Sequence, residues 1–339
     1  YMYWKFLKGI LPLASLLASD NMWAQEIVFQ DFYQQILQWE DRGEYAQALD
    51  FLNAHRSHYP EKYFLLLKEE IYLREKLSMF SENMNLFKEG HDRGYFFFMH
   101  PGIRAFDPYK EMEGFDSLSA TDLQLRRDAN AQSELLYKVV FPKNYTWNTH
   151  LPVCLIFHGG GSNLQKVREH WHSPTLDSEC INVYVQSYLH YDSETFGWRS
   201  GDERAFREIA ELYQQLREEY PVDTASLFVA GISAGGTFAI DLAIRQIIPV
   251  TGFMVFCPGI PAILSEGPAG DLPEVRGYMV GGEEDYYLSR QKKMMEIFDK
   301  AGLGCRHEIV EGMGHHYPVE ESRWIEEAIC FLKHELPMP

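Results

Sequence analysis

Residues 226–236 read Ser-Leu-Phe-Val-Ala-Gly-Ile-Ser-Ala-Gly-Gly, and this stretch decides the fold. Its apolar first half predicts a buried strand, and the apolar spacing of residues 237–244 predicts a helix directly after it. A strand that turns sharply into a helix forces its corner residue, Ser233, into a strained backbone conformation. Gly231 and Gly235 lack the side chains that would collide as the two elements cross. The stretch therefore predicts a serine that projects from the edge of a sheet, with an ordinary strand-to-helix turn as the alternative.

A glycine-rich turn, His-Gly-Gly-Gly-Ser-Asn at residues 158–163, follows the apolar run 151–157. Successive glycines let the backbone approach a substrate closely and aim its N–H groups at it. We expect the N–H groups of Gly160 and Ala234 to stabilise an oxyanion beside the serine. The alternative, a phosphate-binding loop, lacks both the Gly-Lys-Ser/Thr sequence and the G-x-G-x-x-G spacing. Three neighbours in the turn are candidate substrate-pocket residues: His158, Gly159 and Gly161.

An acid that orients a catalytic base is expected after a later strand. Residues 274–280 predict a strand that leads into Gly-Gly-Glu-Glu-Asp at residues 281–285. An acid just past the carboxyl end of a strand lies on the edge where α/β sheets hold their ligands. The loop spacing favours Asp285, and Glu284 is the reserve candidate. For either residue, the alternative is a solvated surface acid.

The base itself is expected last in the chain. Residues 306–310 alternate like a final strand, and Glu-Gly-Met-Gly-His-His-Tyr-Pro follows at residues 311–318. The glycines before His315 allow a tight loop that carries its imidazole to the sheet edge. His316 is a competitor, and a surface histidine pair is the alternative. The resulting order of serine, acid and histidine is that of the α/β-hydrolase triad.

The histidine pairs do not predict a metal site. His315 and His316 are adjacent, and no helical H-E-x-x-H sequence occurs. His170 and His172 have the spacing of two ligands on a strand, but no third ligand is evident nearby. We therefore expect neither a metal nor another cofactor.

Two aromatic residues are further candidates for the substrate pocket. Trp198 precedes a predicted helix at residues 203–219, and Tyr286 directly follows the predicted acid. For the segment around Trp198, the alternative is capping of that helix by Ser200 or Asp202. For Tyr286, the alternative is simple packing.

The sequence resembles serine esterases of the α/β-hydrolase superfamily over residues 133–336. The resemblance is carried by LPVCLIFHGGGSN (151–163), VAGISAGGTFAI (229–240), MVGGEEDYYL (279–288) and EGMGHHYP (311–318). Within this superfamily, the sequence is similar to the phospholipase/carboxylesterase, dienelactone-hydrolase-like and polyhydroxybutyrate-depolymerase-like groups. The stretch REEYPVDTASLFVAGISAGG (217–236) resembles the polyhydroxybutyrate-depolymerase-like group. Dienelactone hydrolases typically use a cysteine nucleophile, so their substrate is not carried over.

The resemblance implies a mostly parallel sheet flanked by helices and hydrolysis of carboxylic esters through an acyl-enzyme. It also implies a Ser233, Asp285 and His315 triad with Gly160 and Ala234 as oxyanion donors. A thioesterase is an alternative. A prolyl-oligopeptidase-type peptidase shares G-x-S-x-G-G but usually carries a β-rich N-terminal domain. The third alternative, an idle hydrolase fold that acts as a binding module, disagrees with the retention of all three triad residues.

Composition narrows the class of partner. The chain has 339 residues and a net charge of −18, which argues against a nucleic acid or an anionic membrane surface as ligand. Its five cysteines are scattered and odd in number, so they predict no disulfide framework. Composition says nothing more about the substrate; a small-molecule ester is the substrate that the family resemblance implies.

The N-terminal third is expected to be separate from the hydrolase domain. Residues 1–24 are a candidate signal peptide, which would imply export; without it the protein would be cytoplasmic. Residues 25–98 predict amphipathic helices, with one match to half of a tetratricopeptide repeat at 43–60 and a helix pair at 61–90. Such helices would bind a protein partner or cap the catalytic domain. Residues 99–132, rich in Pro, Gly and polar residues, predict a linker.

The catalytic domain is expected to span residues 133–339. Strand-like and helical stretches alternate through it, which indicates a mostly parallel sheet with an early edge strand. The predicted strands lie near residues 135–141, 151–157, 181–187, 226–230, 250–257, 274–280 and 306–310. The predicted helices lie near residues 203–219, 236–247, 289–301 and 321–335.

Overall fold

The structure, a computed structural model, describes residues 19–100, 102–265 and 271–333. Its contacts divide the chain into two compact units, Tyr1–Leu123 and Gln124–Pro339. The candidate signal peptide lies almost entirely outside the described residues and stays a prediction. Within the described ranges, no helix combines the length and apolar character that crossing a membrane requires.

The first unit is helical, as predicted. Consecutive helices pack on one another, and two clusters of buried side chains, around Ile36 and around Leu67, form its core. No finding tests the tetratricopeptide resemblance, which stays a prediction. The helices are α1 (Ser19–Asp41), α2 (Tyr45–His55), α3 (Tyr63–Lys76) and α4 (Phe80–Asp92).

The segment predicted as a linker contains an 18-residue helix, α5 (Phe115–Gln132). Its Asp122 is fully buried and accepts hydrogen bonds from the backbone N–H groups of Phe97 at 2.6 Å and Met99 at 2.8 Å. The polar composition of this segment concealed the helix, because only Phe115 and Asp122 on it are buried. The segment therefore contains a helix that was not predicted, and its assignment as a linker stays a prediction.

The second unit is built on a seven-stranded sheet in the order β1-β3-β2-β4-β5-β6-β7. The first strand pairs antiparallel at one edge, and all the other neighbouring strands pair parallel. The strands are β1 (Leu136–Val140), β2 (Leu151–Phe157), β3 (Ile181–Gln186), β4 (Val222–Ile232), β5 (Gly252–Phe256), β6 (Arg276–Gly282) and β7 (Cys305–Val310). The predicted mostly parallel sheet and its early edge strand are confirmed.

Helices cover both faces of this sheet. Along β2, Leu155 belongs to one core cluster and its neighbour Ile156 to the other, as expected for a strand buried on both faces. The helices are α6 (Leu164–Val167), α7 (Pro174–Glu179), α8 (Glu203–Glu219), α9 (Ala234–Arg245), α10 (Ala262–Ser265), α11 (Leu288–Ala301) and α12 (Glu321–Leu332).

The crossing of β4 and α9 leaves no room for side chains at its glycines. A Cβ atom on Gly235 would lie 2.3 Å from the carbonyl oxygen of His158, at the end of β2. A Cβ on Gly231 would lie 2.7 Å from the carbonyl carbon of Gly235. Three backbone segments are therefore in direct contact, and the end of β2 is held against the start of α9.

We predict that Gly235→Ala destabilises the fold by about 3 kcal/mol or more, because backbone atoms must separate to admit the methyl group. Gly236→Ala is the matched control on the same helix. Its Cβ would lie 3.0 Å from the Gly231 carbonyl oxygen, and the better helix propensity of alanine, about 1 kcal/mol, offsets part of that contact. Urea unfolding measures both variants. Equal free energies of unfolding for the two variants would contradict the close approach of backbone at Gly235.

Candidate active site

Ser233 occupies the sharp turn between β4 and α9. Its backbone angles, φ 54° and ψ −118°, lie where residues other than glycine are strained. The surrounding backbone holds it there, because its N–H donates to the Phe256 carbonyl at 2.9 Å. Its own carbonyl accepts from the Thr237 N–H at 2.8 Å and the Thr237 hydroxyl at 2.9 Å. The serine side chain is thus fixed at the carboxyl edge of the sheet.

A chain of hydrogen bonds joins Ser233 to two other predicted residues. The Ser233 hydroxyl donates to Nε2 of His315 at 2.8 Å, and Nδ1 of His315 donates to Oδ1 of Asp285 at 2.8 Å. A carboxylate only accepts, which places the imidazole proton on Nδ1 and leaves Nε2 as the acceptor. The arrangement can take a proton from the serine hydroxyl.

The competing candidates, Glu284 and His316, take no part in these hydrogen bonds. Glu284 is exposed, and its backbone N–H donates to the Met313 carbonyl at 2.9 Å. His316 uses Nδ1 to donate to the Tyr317 carbonyl at 2.8 Å. The structure therefore brings Asp285 and His315 to the serine rather than their neighbours.

Asp285 is buried in a shell of donors. Its side chain has 0% exposure, whereas that of His315 has 16%. Besides the imidazole, Oδ1 accepts from the Tyr287 N–H at 2.8 Å, and Oδ2 accepts from Nε2 of Gln291 at 2.8 Å. A buried carboxylate needs such donors to stay ionised. The sequence analysis missed Gln291. Its one signal in the sequence is that a polar residue falls on the side of α11 that is buried.

The glycine turn after β2 lies against the serine. A Cβ on Gly159 would be 4.0 Å from Cβ of Ser233. Gly160 is exposed, and Gly161, with φ 71°, anchors the turn by donating its N–H to the Phe196 carbonyl at 2.9 Å. Ala234 is the first residue of α9, where N–H groups have no acceptor inside the helix.

Two predicted pocket residues are buried instead. His158 is fully buried; its Nε2 accepts from the Ser187 N–H at 3.3 Å, and Nδ1 donates to the Gly159 carbonyl at 2.6 Å. Trp198 is 5% exposed and packs in the core, 4.5 Å from the ring of Phe238. Both rings lie in the core beneath the glycine turn, and their assignment to the substrate pocket stays a prediction.

Tyrosines surround the exposed side of the imidazole. Tyr286 is 66% exposed, and its ring centre lies 4.3 Å from that of His315, while the Tyr287 ring lies 5.3 Å away. Sequence reasoning missed Tyr191, whose ring would be 3.0 Å from a Cβ on Gly160. Aromatic rings therefore lie beside the imidazole and beside the glycine turn.

One set of side chains in the described ranges also has metal-like spacing. Cys257, Asp285 and His315 place a sulfur, an oxygen and a nitrogen within 4.8 Å of one another. Burial and the Asp285 charge raise the pKa of the Cys257 thiol to about 12, so the thiolate that metals prefer is disfavoured. The expected absence of a metal stays a prediction. His170 and His172 are bound elsewhere, to Glu321 and to the Arg168 carbonyl.

No protein-family model matches the chain, and no curated protein matches it. Its similarity to known proteins rests on solved structures.

Solved structures resemble the chain at low identity. An uncharacterized protein from Bacillus cereus ATCC 10987 has a TM-score of 0.49 and 18% identity, over 91% of this chain and 99% of that one. Esterase PE8 has a TM-score of 0.47 and 17% identity, over 60% and 100%. Thermogutta terrifontis esterase 2, phosphonylated by cyclosarin, has a TM-score of 0.47 and 15% identity, over 60% and 89%. Similarities this weak assign no function.

We predict that His158 makes the fold sensitive to acid. Burial lowers its pKa from 6.5 to about 4, so below pH 6.5 the unfolded chain binds a proton that the folded chain does not. Stability therefore falls as the pH drops from 6.5 towards 4, by about 2 kcal/mol at pH 5. Urea unfolding of wild type and His158→Gln at pH 7.5 and pH 5 measures this loss. The variant should lose less stability on acidification, and equal losses would contradict the prediction.

Proposed function

We propose that the protein is a serine hydrolase that cleaves carboxylic esters through an acyl-enzyme. The observation that carries this proposal is the chain of two 2.8 Å hydrogen bonds from Ser233 through His315 to the buried Asp285. A hydroxyl at a strained turn, an accepting imidazole and an orienting carboxylate are the parts that nucleophilic acyl transfer requires.

The reaction begins when His315 takes the proton of Ser233 as its oxygen attacks the ester carbonyl. The resulting imidazolium lies beside the Asp285 carboxylate, which stabilises its charge and fixes its tautomer. His315 then protonates the departing alcohol, and the acyl group remains on Ser233. Water, activated by the same imidazole, attacks the acyl-enzyme and releases the acid.

The negative charge that develops on the carbonyl oxygen needs donors that are already in place. The turn at Gly159 lies against Ser233, and Ala234 begins the helix behind it. We assign the N–H groups of Gly160 and Ala234 to this role. Loss of one such donor typically lowers kcat by about 100- to 1,000-fold.

Mutations of three site residues test the proposal, and mutations of two adjacent residues serve as controls. Ser233→Ala, Asp285→Asn and His315→Ala should each lower kcat for p-nitrophenyl acetate by about 10⁴-fold or more, because each removes a member of one working unit. Glu284→Gln and His316→Ala, adjacent to the acid and the base, should keep most of the activity. Circular dichroism melting checks that each variant is folded.

Hydrolysis by folded Ser233→Ala at the wild-type rate would overturn the proposal. Competition among a phenyl ester, the matching thioester and the matching anilide then distinguishes an esterase from a thioesterase or a peptidase. We expect the ester to have the highest kcat/KM relative to its uncatalysed rate. A Ser233-dependent preference for the anilide would favour the peptidase instead.

A further inference from the structure

Gln291 is a fully buried polar side chain that contacts the acid from below. It lies on the first turn of α11 with 0% exposure. Its Nε2 donates to Oδ2 of Asp285 at 2.8 Å and approaches the Pro258 carbonyl at 3.3 Å. Both partners are acceptors, so the amide must present its NH₂ group to them. The reverse orientation would set two oxygens against each other.

The other end of the amide is fixed by Gly281. A Cβ on Gly281 would lie 2.0 Å from Oε1 of Gln291, so the amide occupies space that any other residue at position 281 would fill. Within the described ranges, Oε1 has no hydrogen-bond partner. Leaving a buried amide oxygen unpaired costs free energy. The Oε1 end of the amide gains no hydrogen bond in this position, whereas the Nε2 end is bound to Asp285. The contact with Asp285 therefore holds the side chain in place.

The other groups described around Asp285 offer no strong hydrogen-bond donor to Oδ2. The imidazole of His315 and the Tyr287 N–H both bind Oδ1. The Cys257 thiol contacts the carboxylate, but burial and the Asp285 charge raise the pKa of that thiol to about 12, and thiols are weak donors. Among the residues that the structure describes, Nε2 of Gln291 is thus the strong donor to Oδ2.

We propose that Gln291 is a positioning residue for the hydrolysis, which holds Oδ2 of Asp285 so that Oδ1 faces His315. This inference rests on the proposed function. The amide also spreads the carboxylate charge, because a donor at Oδ2 draws charge away from Oδ1. Without it, Oδ1 would carry more of the charge and would hold the imidazolium more strongly.

Other titratable groups face this site and must be considered in any pH profile. Partial desolvation of the Tyr286 phenol, together with the nearby Asp285 charge, raises its pKa, so that phenol stays neutral over the pH range of the assay. The groups around Asp285 and Gln291 are His315, Cys257, Tyr286, Tyr287 with Arg290 over its ring, and His307 near Gly281.

Gln291→Met keeps the volume of the side chain and removes the donor. We expect kcat for p-nitrophenyl acetate to fall about 10- to 100-fold with little change in KM, the range that loss of a charge-assisted hydrogen bond gives. The acid limb of kcat/KM should move to higher pH. The ratio of variant to wild-type activity should therefore rise as the pH rises.

Gln291→Glu should show the opposite trend. A protonated carboxyl at position 291 can still donate to Oδ2, whereas its ionised form faces Asp285 as a like charge. The ratio of this variant to wild-type activity should therefore fall as the pH rises. A packing role alone would make both ratios independent of pH.

Asn182→Leu is the matched control. Asn182 is a buried amide at the start of β3 that donates to the Leu176 carbonyl at 3.1 Å. Its replacement should lower stability and leave the pH profile unchanged. If wild type is active through Ser233 and both Gln291 variants keep the wild-type profile, this inference is overturned and the proposed function stands. If Ser233→Ala is as active as wild type, the proposed function itself is wrong, and the inference about Gln291 falls with it.

Discussion

The close approach of backbone at the β4–α9 crossing is the constraint on which the rest of the site depends. Gly235 lies so near the end of β2 that a Cβ would be 2.3 Å from the His158 carbonyl oxygen. That contact sets two separate features side by side: the strained turn that carries Ser233 and the glycine turn that follows His158. Parallel pairing of β2 with β4 brings both loops to one edge of the sheet. A nucleophile and its oxyanion donors need this proximity before any side chain can act.

A second constraint is the burial of charge at Asp285. A carboxylate with no exposed surface must be matched by donors, and here they come from Tyr287 just before α11, from Gln291 on α11 and from the loop after β7. The acid therefore ties together the loops that follow β6 and β7. This arrangement fixes the direction of the imidazole.

Sequence patterns predicted the sheet and the three hydrogen-bonded residues because both depend on local rules. Apolar runs define the strands. Glycines at residues 231 and 235 mark a close approach of backbone, and those at residues 312 and 314 mark a tight turn. The burial of His158 and Trp198 was not predicted, because sequence does not tell which side of a loop faces the core. Helix α5 was missed because few of its side chains are apolar and buried. Tyr191 and Gln291 were missed because their positions depend on tertiary contacts, with Gly160 and with Asp285.

The most direct measurement is fluorophosphonate labelling of the folded protein followed by peptide mass spectrometry. Such probes react with a serine only when its hydroxyl is activated by a neighbouring base. A serine activated by the His315 and Asp285 pair predicts a single adduct on Ser233, which disappears when the protein is unfolded in urea before labelling. An unlabelled Ser233 in folded protein, or labelling spread over several serines, would contradict the central claim that this site is a working nucleophile.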